Sequence, residues 1–439
     1  MTSVGVPTRL SHKPSDTSEQ LVADICIIGS GAAGLSAALE ASVLGKRVVL
    51  VEAAPNLGGQ AVNSVIGTFC GLYSNGPDIT QLTYGIAEDI LRDLRENGAA
   101  RDLPARNSII VQYDEIALNR WIDKSVRDAG ITVLVGAVLR NVLRDGRRLT
   151  AVEIATRFGD VRVEAEGFVD ASGDATVAWR AGLAVREPET PIYGTQVVLI
   201  ENFDEAAAAE IDRWDMQQRL ADRAEAYGLI RKDGFVFAFP GHGTALANMT
   251  HVETPMDFAG HARAIFDGRD QADRLMAFLQ IEYPDAYGAA RIRAYPAPGI
   301  RQTRWIAGMY SLTAEDVRSG RIFDDAVARC SWPIELHHWA EGAHWEELGD
   351  DHVHTVPLRS LLHRDADNLV AAGRCIDGDT VGLSSVRVMG PCMAMGAAAS
   401  HALSLAGSGS VHQIDITALQ AGISDNLDRS DRYVGDGGR

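Results

Sequence analysis

Three groups of residues carry chemistry by type and spacing. The first is Gly29-Ser30-Gly31-Ala32-Ala33-Gly34, a G-x-G-x-x-G between an apolar run, residues 25–28, and an Ala/Leu-rich stretch from 32 to about 44. Its physical reading is a dinucleotide site. Gly29 permits a tight turn, Gly31 leaves room for a diphosphate, and Gly34 lets helix and strand approach each other. The helix start at Ala32 and Ala33 offers N–H groups and a positive dipole end to the phosphates. Glu52 closes a second apolar run, residues 47–51, and stands 18 residues after Gly34. A carboxylate there can accept hydrogen bonds from an adenosine ribose.

The second group is cationic. Arg301 and Arg304 flank Gln302 and Thr303. On a helix they share a face, and in an extended segment they point apart. They are candidates for a clamp on an acidic substrate, or for structural ion pairs. The third group is His337, His338, His344, His352 and His354, beside Trp332, Trp339 and Trp345. It contains no H-x-x-x-H or H-E-x-x-H pattern and no cysteine, so no metal site is expected. An aromatic pocket wall is expected instead. His354 is the candidate general base, because histidine titrates near working pH.

Further segments add a resemblance. Gly58-Gly59-Gln60 follows Glu52 and resembles the V-E-x-x-x-x-x-G-G stretch of glutathione-reductase-like flavoproteins. Asp170-Ala171-Ser172-Gly173-Asp174 resembles the "DATGD" strand end of that superfamily, with Ser172 where Thr is usual. Ala372-Gly373-Arg374 resembles its "AGR". With the segments 299–304, 356–361 and 385–396, the chain is similar, from 24 to about 405, to the FAD-dependent oxidoreductases of the FAD_oxidored type.

That resemblance implies FAD as cofactor, with the two glycine segments, Glu52, Ser172, Gly173, Asp174, Gly373 and Arg374 around it. It places the backbone near Val138 against the adenine, and Asp377 or, by preference, Asp379 at the ribityl hydroxyls. A helix starting at Met389, with Pro391, Cys392 and Met393 in its first turns, would aim N–H groups at the reduced flavin's N1 and O2. Arg387, just before it, would neutralise the reduced flavin, clamp a substrate carboxylate, or pair with a nearby acid. Cys70 and Tyr73 are expected near the flavin. Cys70 has no C-x-x-C partner, so disulfide exchange is not expected of it.

These residues need elements to position them. Periodicity predicts helices over 78–97 and 114–129, the second burying Leu118, Trp121, Ile122, Val126 and Ala129 on one face. Strands are expected at 131–135, 137–143 and 150–155, the last two joined by an Asp145-Gly146 turn. From 187 prolines, the alternating runs 195–200 and 235–239, and the acidic helical segment 204–227 mark a different unit. The expected class is therefore α/β. A Rossmann-like FAD-binding domain lies in two sequence segments, 21–186 and 355–410, with an inserted α+β substrate domain at 187–354. Residues 1–20 are expected to be flexible and 411–439 to form a partly loose tail.

Composition narrows the function. At 439 residues the chain has room for two or three units. Forty-one Lys+Arg against 59 Asp+Glu gives a net charge of −18, which argues against nucleic-acid partners, tRNA-modifying flavoproteins included. Five cysteines without a C-x-x-C argue against a disulfide framework. The first 20 residues lack an apolar core, and no run of about 20 apolar residues exists. A soluble, cytoplasmic protein with no membrane partner is expected. No second G-x-G-x-x-G follows a strand, so electrons would pass between substrate, flavin and a diffusible acceptor or donor. The expected reaction is hydride transfer between a small polar or anionic organic substrate and flavin N5. The alternatives are a redox-neutral flavoenzyme or an electron-relay FAD subunit of a complex.

Overall fold

The first strand, β1 (Glu19–Ile28), has its inner half buried on both faces, as a continuous apolar run requires. This computed structural model describes residues 19–435. Residues 1–18 of the segment expected to be flexible, and 436–439 of the expected tail, lie outside the described residues. Glu19 and Gln20 already belong to β1. From β1 the chain turns through the glycine loop into α1 (Ala32–Val43), then β2 (Val48–Glu52). Of the helix expected over 78–97, only Ile86–Glu96 is helical. The next helix, α2 (Glu115–Asp128), is capped by the Asp114 side chain, which accepts from Ala117 N at 2.7 Å.

Four strands follow: β3 (Thr132–Val135), β4 (Val138–Asp145), β5 (Arg148–Thr156) and β6 (Gly159–Asp170). In the large sheet β3, β2, β1 and β6 run parallel in that order, and β5 and β4 extend it antiparallel beyond β6. The parallel strands end together at Ile28, Glu52 and Asp170. Ligands of doubly wound sheets bind at such carboxyl ends.

The chain then leaves this sheet. An antiparallel sheet forms from β7 (Val198–Glu201), β8 (Phe235–Phe239), β9 (Thr244–Asn248) and β10 (Arg291–Ala294), in the order β8-β9-β7-β10. The long helix α3 (Phe258–Glu282) packs Leu275, Phe278 and Leu279 into the same core. The acidic segment 204–227 is broken into Glu205–Ala209, Arg213–Arg223 and one short turn, with Asp204 and Asp212 as caps. This core stops near residue 292. Trp305, Leu312, Val327, Trp332 and Val356 instead share the core of α1. The stretch expected as one insert, 187–354, is thus divided among several cores.

The remaining elements close the site. They are β11 (Ala326–Cys330), the hairpin β12 (Ile334–Trp339) with β13 (Gly342–Glu346), and β14 (His354–Pro357), which pairs with β11. Strand β15 (Leu369–Ala371) returns to the large sheet beside β6, parallel to it. Helices α4 (Thr380–Val386) and α5 (Met389–Ala406) follow. Among the described residues no single helix is long and apolar enough to cross a membrane.

The segment after α5 departs from the expected loose tail. It contains α6 (Ile416–Gly422), whose Leu419 is fully buried. Arg329, on β11, donates to Asn426 O at 2.9 Å and Ser430 Oγ at 3.1 Å, tying down the chain beyond α6. A long-range anchor of this kind has no local signature.

Helices α1 and α5 touch backbone to backbone. A Cβ on Gly396 would lie 2.1 Å from Ala33 O, and Ser400 Oγ donates to Ala37 O at 2.7 Å. In a free helix Gly→Ala stabilises by about 0.5–1 kcal/mol. Here the sign should reverse, and Gly396→Ala is expected to lower the thermal unfolding temperature. An unchanged or higher midpoint in a melt would show that the helix pair is looser than described.

Candidate active site

The glycine loop is shaped by contacts that exclude a side chain. Gly29 has φ +97°, and a Cβ there would lie 2.3 Å from Ala171 O. At Gly34 a Cβ would lie 1.8 Å from Gly29 O. Gly31 differs: nothing lies within 4 Å of its Cβ position, so the loop faces open space there. Gly31 is the N-cap of α1 and supplies no side-chain cap, and no acid occupies the first turn. The Ala32 and Ala33 amides at that helix start are free to meet a diphosphate.

Glu52 is 8% exposed. It accepts from Ser30 N at 2.9 Å, Ser30 Oγ at 2.6 Å and Ala54 N at 2.8 Å. Three of about four carboxylate lone-pair sites are thereby used on the loop itself. Val138 stands half exposed at the start of β4, beside the similarly exposed Val135. The Gly58-Gly59 pair lies on the loop. Gly58 N donates to Ser30 O at 3.1 Å, and a Cβ on Gly59 would meet Gly31 Cα at 2.6 Å.

Other strand ends arrive at the same place. Ser172 Oγ donates to the buried Asp170 at 2.6 Å, and Asp174 accepts from Thr303 Oγ1. Cys375 Sγ accepts from Gly173 N at 3.1 Å. Gly373 lies against Ala33 and Cys392. Gln60 Nε2 and Arg374 Nη1 both donate to Ile300 O, at 2.7 and 2.6 Å. The glycine loop, both later strand ends and the segment around Arg301 therefore converge. The open face at Gly31, the uncapped α1 and the exposed valines fit a bound FAD, which these residues would hold.

Helix α5 also begins without a side-chain cap. Gly390 N is taken by Cys70 O at 3.0 Å, Cys392 N by Val388 O, and Pro391 has no N–H. Among the described residues, Met389 N is the donor this turn leaves free. Cys392 and Met393 are buried in the helix packing. Burial pushes the thiols of Cys70 and Cys392 up to about 12, so both stay protonated.

One expectation needs correction, and the acids expected at the ribityl hydroxyls have partners within the fold. Asp379 also caps α4: it accepts from Gly382 N at 2.6 Å and Ala314 N at 2.8 Å, which uses two of about four lone-pair sites. Asp377 likewise accepts from Gly308 N at 2.7 Å and faces Arg186 at 2.9 Å. His354, expected as a general base, is 1% exposed. Its ring contacts Ser385 Oγ at 3.1 Å and His352 Nε2 at 3.2 Å. Burial, with His352 adding to it, lowers its pKa to about 3. In this fold it is a buried, neutral group. Burial, which spacing does not reveal, is the reason.

Arg301 and Arg387 lie within electrostatic reach of each other, and Arg304 does not join them. The segment is extended, and the Arg304 guanidinium stacks 4.7 Å from the Trp179 ring centroid. Arg301 Nη1 donates to Tyr193 O at 2.8 Å, and Arg387 Nη2 donates to Glu335 O at 3.0 Å. Among the described residues, Arg387 Nε is buried without a partner, as are both amide atoms of Gln302, which is 2% exposed. Burial and the neighbouring Arg231 and Arg387 lower the Arg301 pKa, and burial brings Arg387 down to about 10, against the opposing pull of Glu335.

Sequence reasoning missed the rest of this cluster: Arg231, Asp233, His251 and Glu335. Arg231 is 5% exposed and pairs with Asp233. His251, His337 and Glu335 form a hydrogen-bonded row. No group of three or more His, Cys, Asp or Glu among the described residues is arranged to hold a metal ion.

A parallel sheet with a glycine loop at its carboxyl ends, closed by strands from a second chain segment, defines a dinucleotide-binding flavoprotein. Residues 24–423 match the family of FAD dependent oxidoreductases, and the chain belongs to that family. It is an FAD-dependent oxidoreductase. No curated protein matches it in sequence. Similar solved structures include a geranylgeranyl bacteriochlorophyll reductase-like protein from Thermoplasma acidophilum: 13% identity, TM-score 0.48, covering 92% of this chain and 83% of that one. A triple mutant of the flavin-dependent brominase Bmp2 is also similar, at 14% identity and TM-score 0.47, covering 92% and 84%. A third is a glycerol-3-phosphate dehydrogenase from Bacillus halodurans complexed with FAD, at 15% identity and TM-score 0.38, covering 60% and 53%.

Two glycines separate cofactor binding from folding. Gly31→Val should leave the apoprotein's circular dichroism and melting temperature intact while abolishing the bound flavin's absorption near 450 nm. Gly29→Ala should lower both, because its Cβ meets backbone. Equal effects at the two positions would contradict the open face at Gly31.

His354 gives an acid-stability prediction. It is neutral in the fold down to about pH 3 but titrates near pH 6.5 when unfolded. Its stabilising contribution is whole above about pH 6.5 and is lost as pH falls toward 3, where the unfolded chain binds the extra proton. His354→Asn should flatten the pH dependence of the urea midpoint on the acid side. An unchanged slope would mean that the ring protonates within the fold.

Proposed function

We propose that this enzyme moves a hydride between a small anionic organic substrate and flavin N5, and then exchanges electrons with a diffusible acceptor or donor. One observation carries the reading. Among the described residues, Arg301 and Arg387 sit in one partly buried cluster with no carboxylate at ion-pair distance from either guanidinium. Buried charges are ordinarily paired. A substrate carboxylate or comparable anion would supply the missing counter-charge, and the unpaired Gln302 amide a further donor and acceptor.

Bound FAD supplies the two-electron centre. The chain's part is orientation and exclusion of water. Arg301 and Arg387 hold the anion from two elements that converge beside the start of α5. Trp332, stacked edge-on against Trp345 at 6.2 Å, and Tyr193 form aromatic walls. Met389 N stands ready to donate to an electron-rich acceptor at that helix start. We place the enzyme in the cytoplasm, a reading that five unpaired cysteines support.

The test is an anaerobic titration of the FAD-loaded enzyme with hydroxy acids, amino acids and their neutral amides or esters. Anionic members should bleach the flavin bands, and Arg387→Lys or Arg301→Lys should raise KM by about 10–100-fold, the loss of one charge-assisted hydrogen bond of about 1.5–3 kcal/mol. Neutral analogues should be indifferent to these substitutions. Bleaching by neutral compounds alone would overturn the clamp. Bleaching by no compound would move the reading to redox-neutral catalysis or an electron relay.

A further inference from the structure

The row of groups beside the arginines has more hydrogen-bond links than its neutral members have hydrogens to fill. His251 Nδ1 contacts Ala340 O at 2.8 Å, His251 Nε2 contacts His337 Nδ1 at 3.1 Å, and His337 Nε2 contacts Glu335 Oε1 at 2.8 Å. Each contact needs one hydrogen. A carbonyl oxygen at one end and a carboxylate at the other are both acceptors, and two neutral imidazoles bring one N–H each. Three links, two hydrogens: one link would set acceptor against acceptor. His337 and His251 are 0% and 1% exposed, so water cannot repair the deficit. An unsatisfied buried polar group of this kind is strongly disfavoured.

We propose that Glu335, His337 and His251 form a proton-holding chain that takes up one proton when an anion binds between Arg301 and Arg387. The inference rests on the anion site proposed above and adds its proton. The third hydrogen lies on the Glu335–His337 link, and the chain's charge rises by one when it is present. What opposes that charge is visible. Arg231, paired with Asp233, faces the row from the loop after residue 228, Arg301 from its own segment, Arg387 from the end of α4, and His338 from β12. Cys70, a neutral thiol, lies on the Glu335 side. Tyr193 stacks on His251, with ring centroids 5.5 Å apart. Trp332 Nε1 donates to the other Glu335 oxygen at 3.0 Å. Burial, then Arg301, Arg231 and Arg387, all disfavour a positive His337. An anion on Arg301 and Arg387 removes part of that opposition. The two ligands therefore assist each other, and by reciprocity the proton must tighten the anion.

The experiment uses the FAD-loaded protein with acetate as probe, followed by perturbation of the flavin spectrum at constant ionic strength from pH 6 to pH 9. The acetate Kd should rise with pH, approaching tenfold per pH unit, the limit for one linked proton. Glu335→Gln supplies the third hydrogen from an amide that does not titrate, so its Kd should be flat and low throughout. Nitrogen-15 spectra of histidine-labelled protein with acetate bound should show hydrogens on His251 Nδ1 and His337 Nδ1 and a third shared at His337 Nε2. A flat Kd in the wild-type protein, or only two hydrogens in that row, overturns the proton chain and leaves the anion site standing. Absence of any acetate effect, together with indifference to Arg387→Lys, overturns both.

Discussion

Where the glycine loop meets the end of β6, and where α1 meets α5, backbone lies directly on backbone. A Cβ would come within 2.3 Å of Ala171 O at Gly29 and within 2.1 Å of Ala33 O at Gly396. These contacts fix α1 against both the sheet and the second chain segment. Everything the site uses depends on them. The start of α1, the Gly373 turn and the start of α5 are close neighbours only because no side chain holds them apart. The segment after β15 could not otherwise be brought so near the residues before β2: dispersion contacts fall off within an ångström of extra separation.

This explains which parts were legible in the sequence. The loop, α1, β2 and Glu52 are contiguous, and each residue's role follows from its neighbours, so type and spacing carry the information. The strand end at Ser172 and the Gly373 turn were legible as family-like segments. Val138 could be placed only through that likeness. The sheet order could not be read: β6 lies beside β1 although more than 100 residues separate them, and β15 joins β6 from farther still. Periodicity reports that a strand is buried and not which strand covers it.

Other positions have partners that residue type alone does not announce. Asp379 is expected at the ribityl hydroxyls, and Asp379-Thr380-Val381-Gly382 also opens a helix whose Gly382 amide its carboxylate accepts. His354 was chosen for its side chain's solution titration, and the fold removes the solvent on which that depends. The tail, expected to be partly loose as chain termini often are, is held by Arg329, which donates to Asn426 O, Ser430 Oγ, Asp425 O and Arg429 O as well as to Leu82 O. For His354 and the tail the deciding partner is distant in sequence.

The arginine cluster shows the opposite balance. Here the fold gathers charge rather than neutralising it: Arg231 has Asp233, but Arg301 and Arg387 are left with carbonyl oxygens, and Glu335 gives its carboxylate to His337 and Trp332 instead. Turning Glu335 toward Arg387 would make an ordinary buried ion pair and cancel the field. Its ring partners hold it away. A family fold that spends its glycines on close packing around the cofactor thus leaves one region electrostatically incomplete, and that incompleteness lies beside the uncapped start of α5. Under the function proposed above, an arriving anion supplies the counter-charge that the fold withholds.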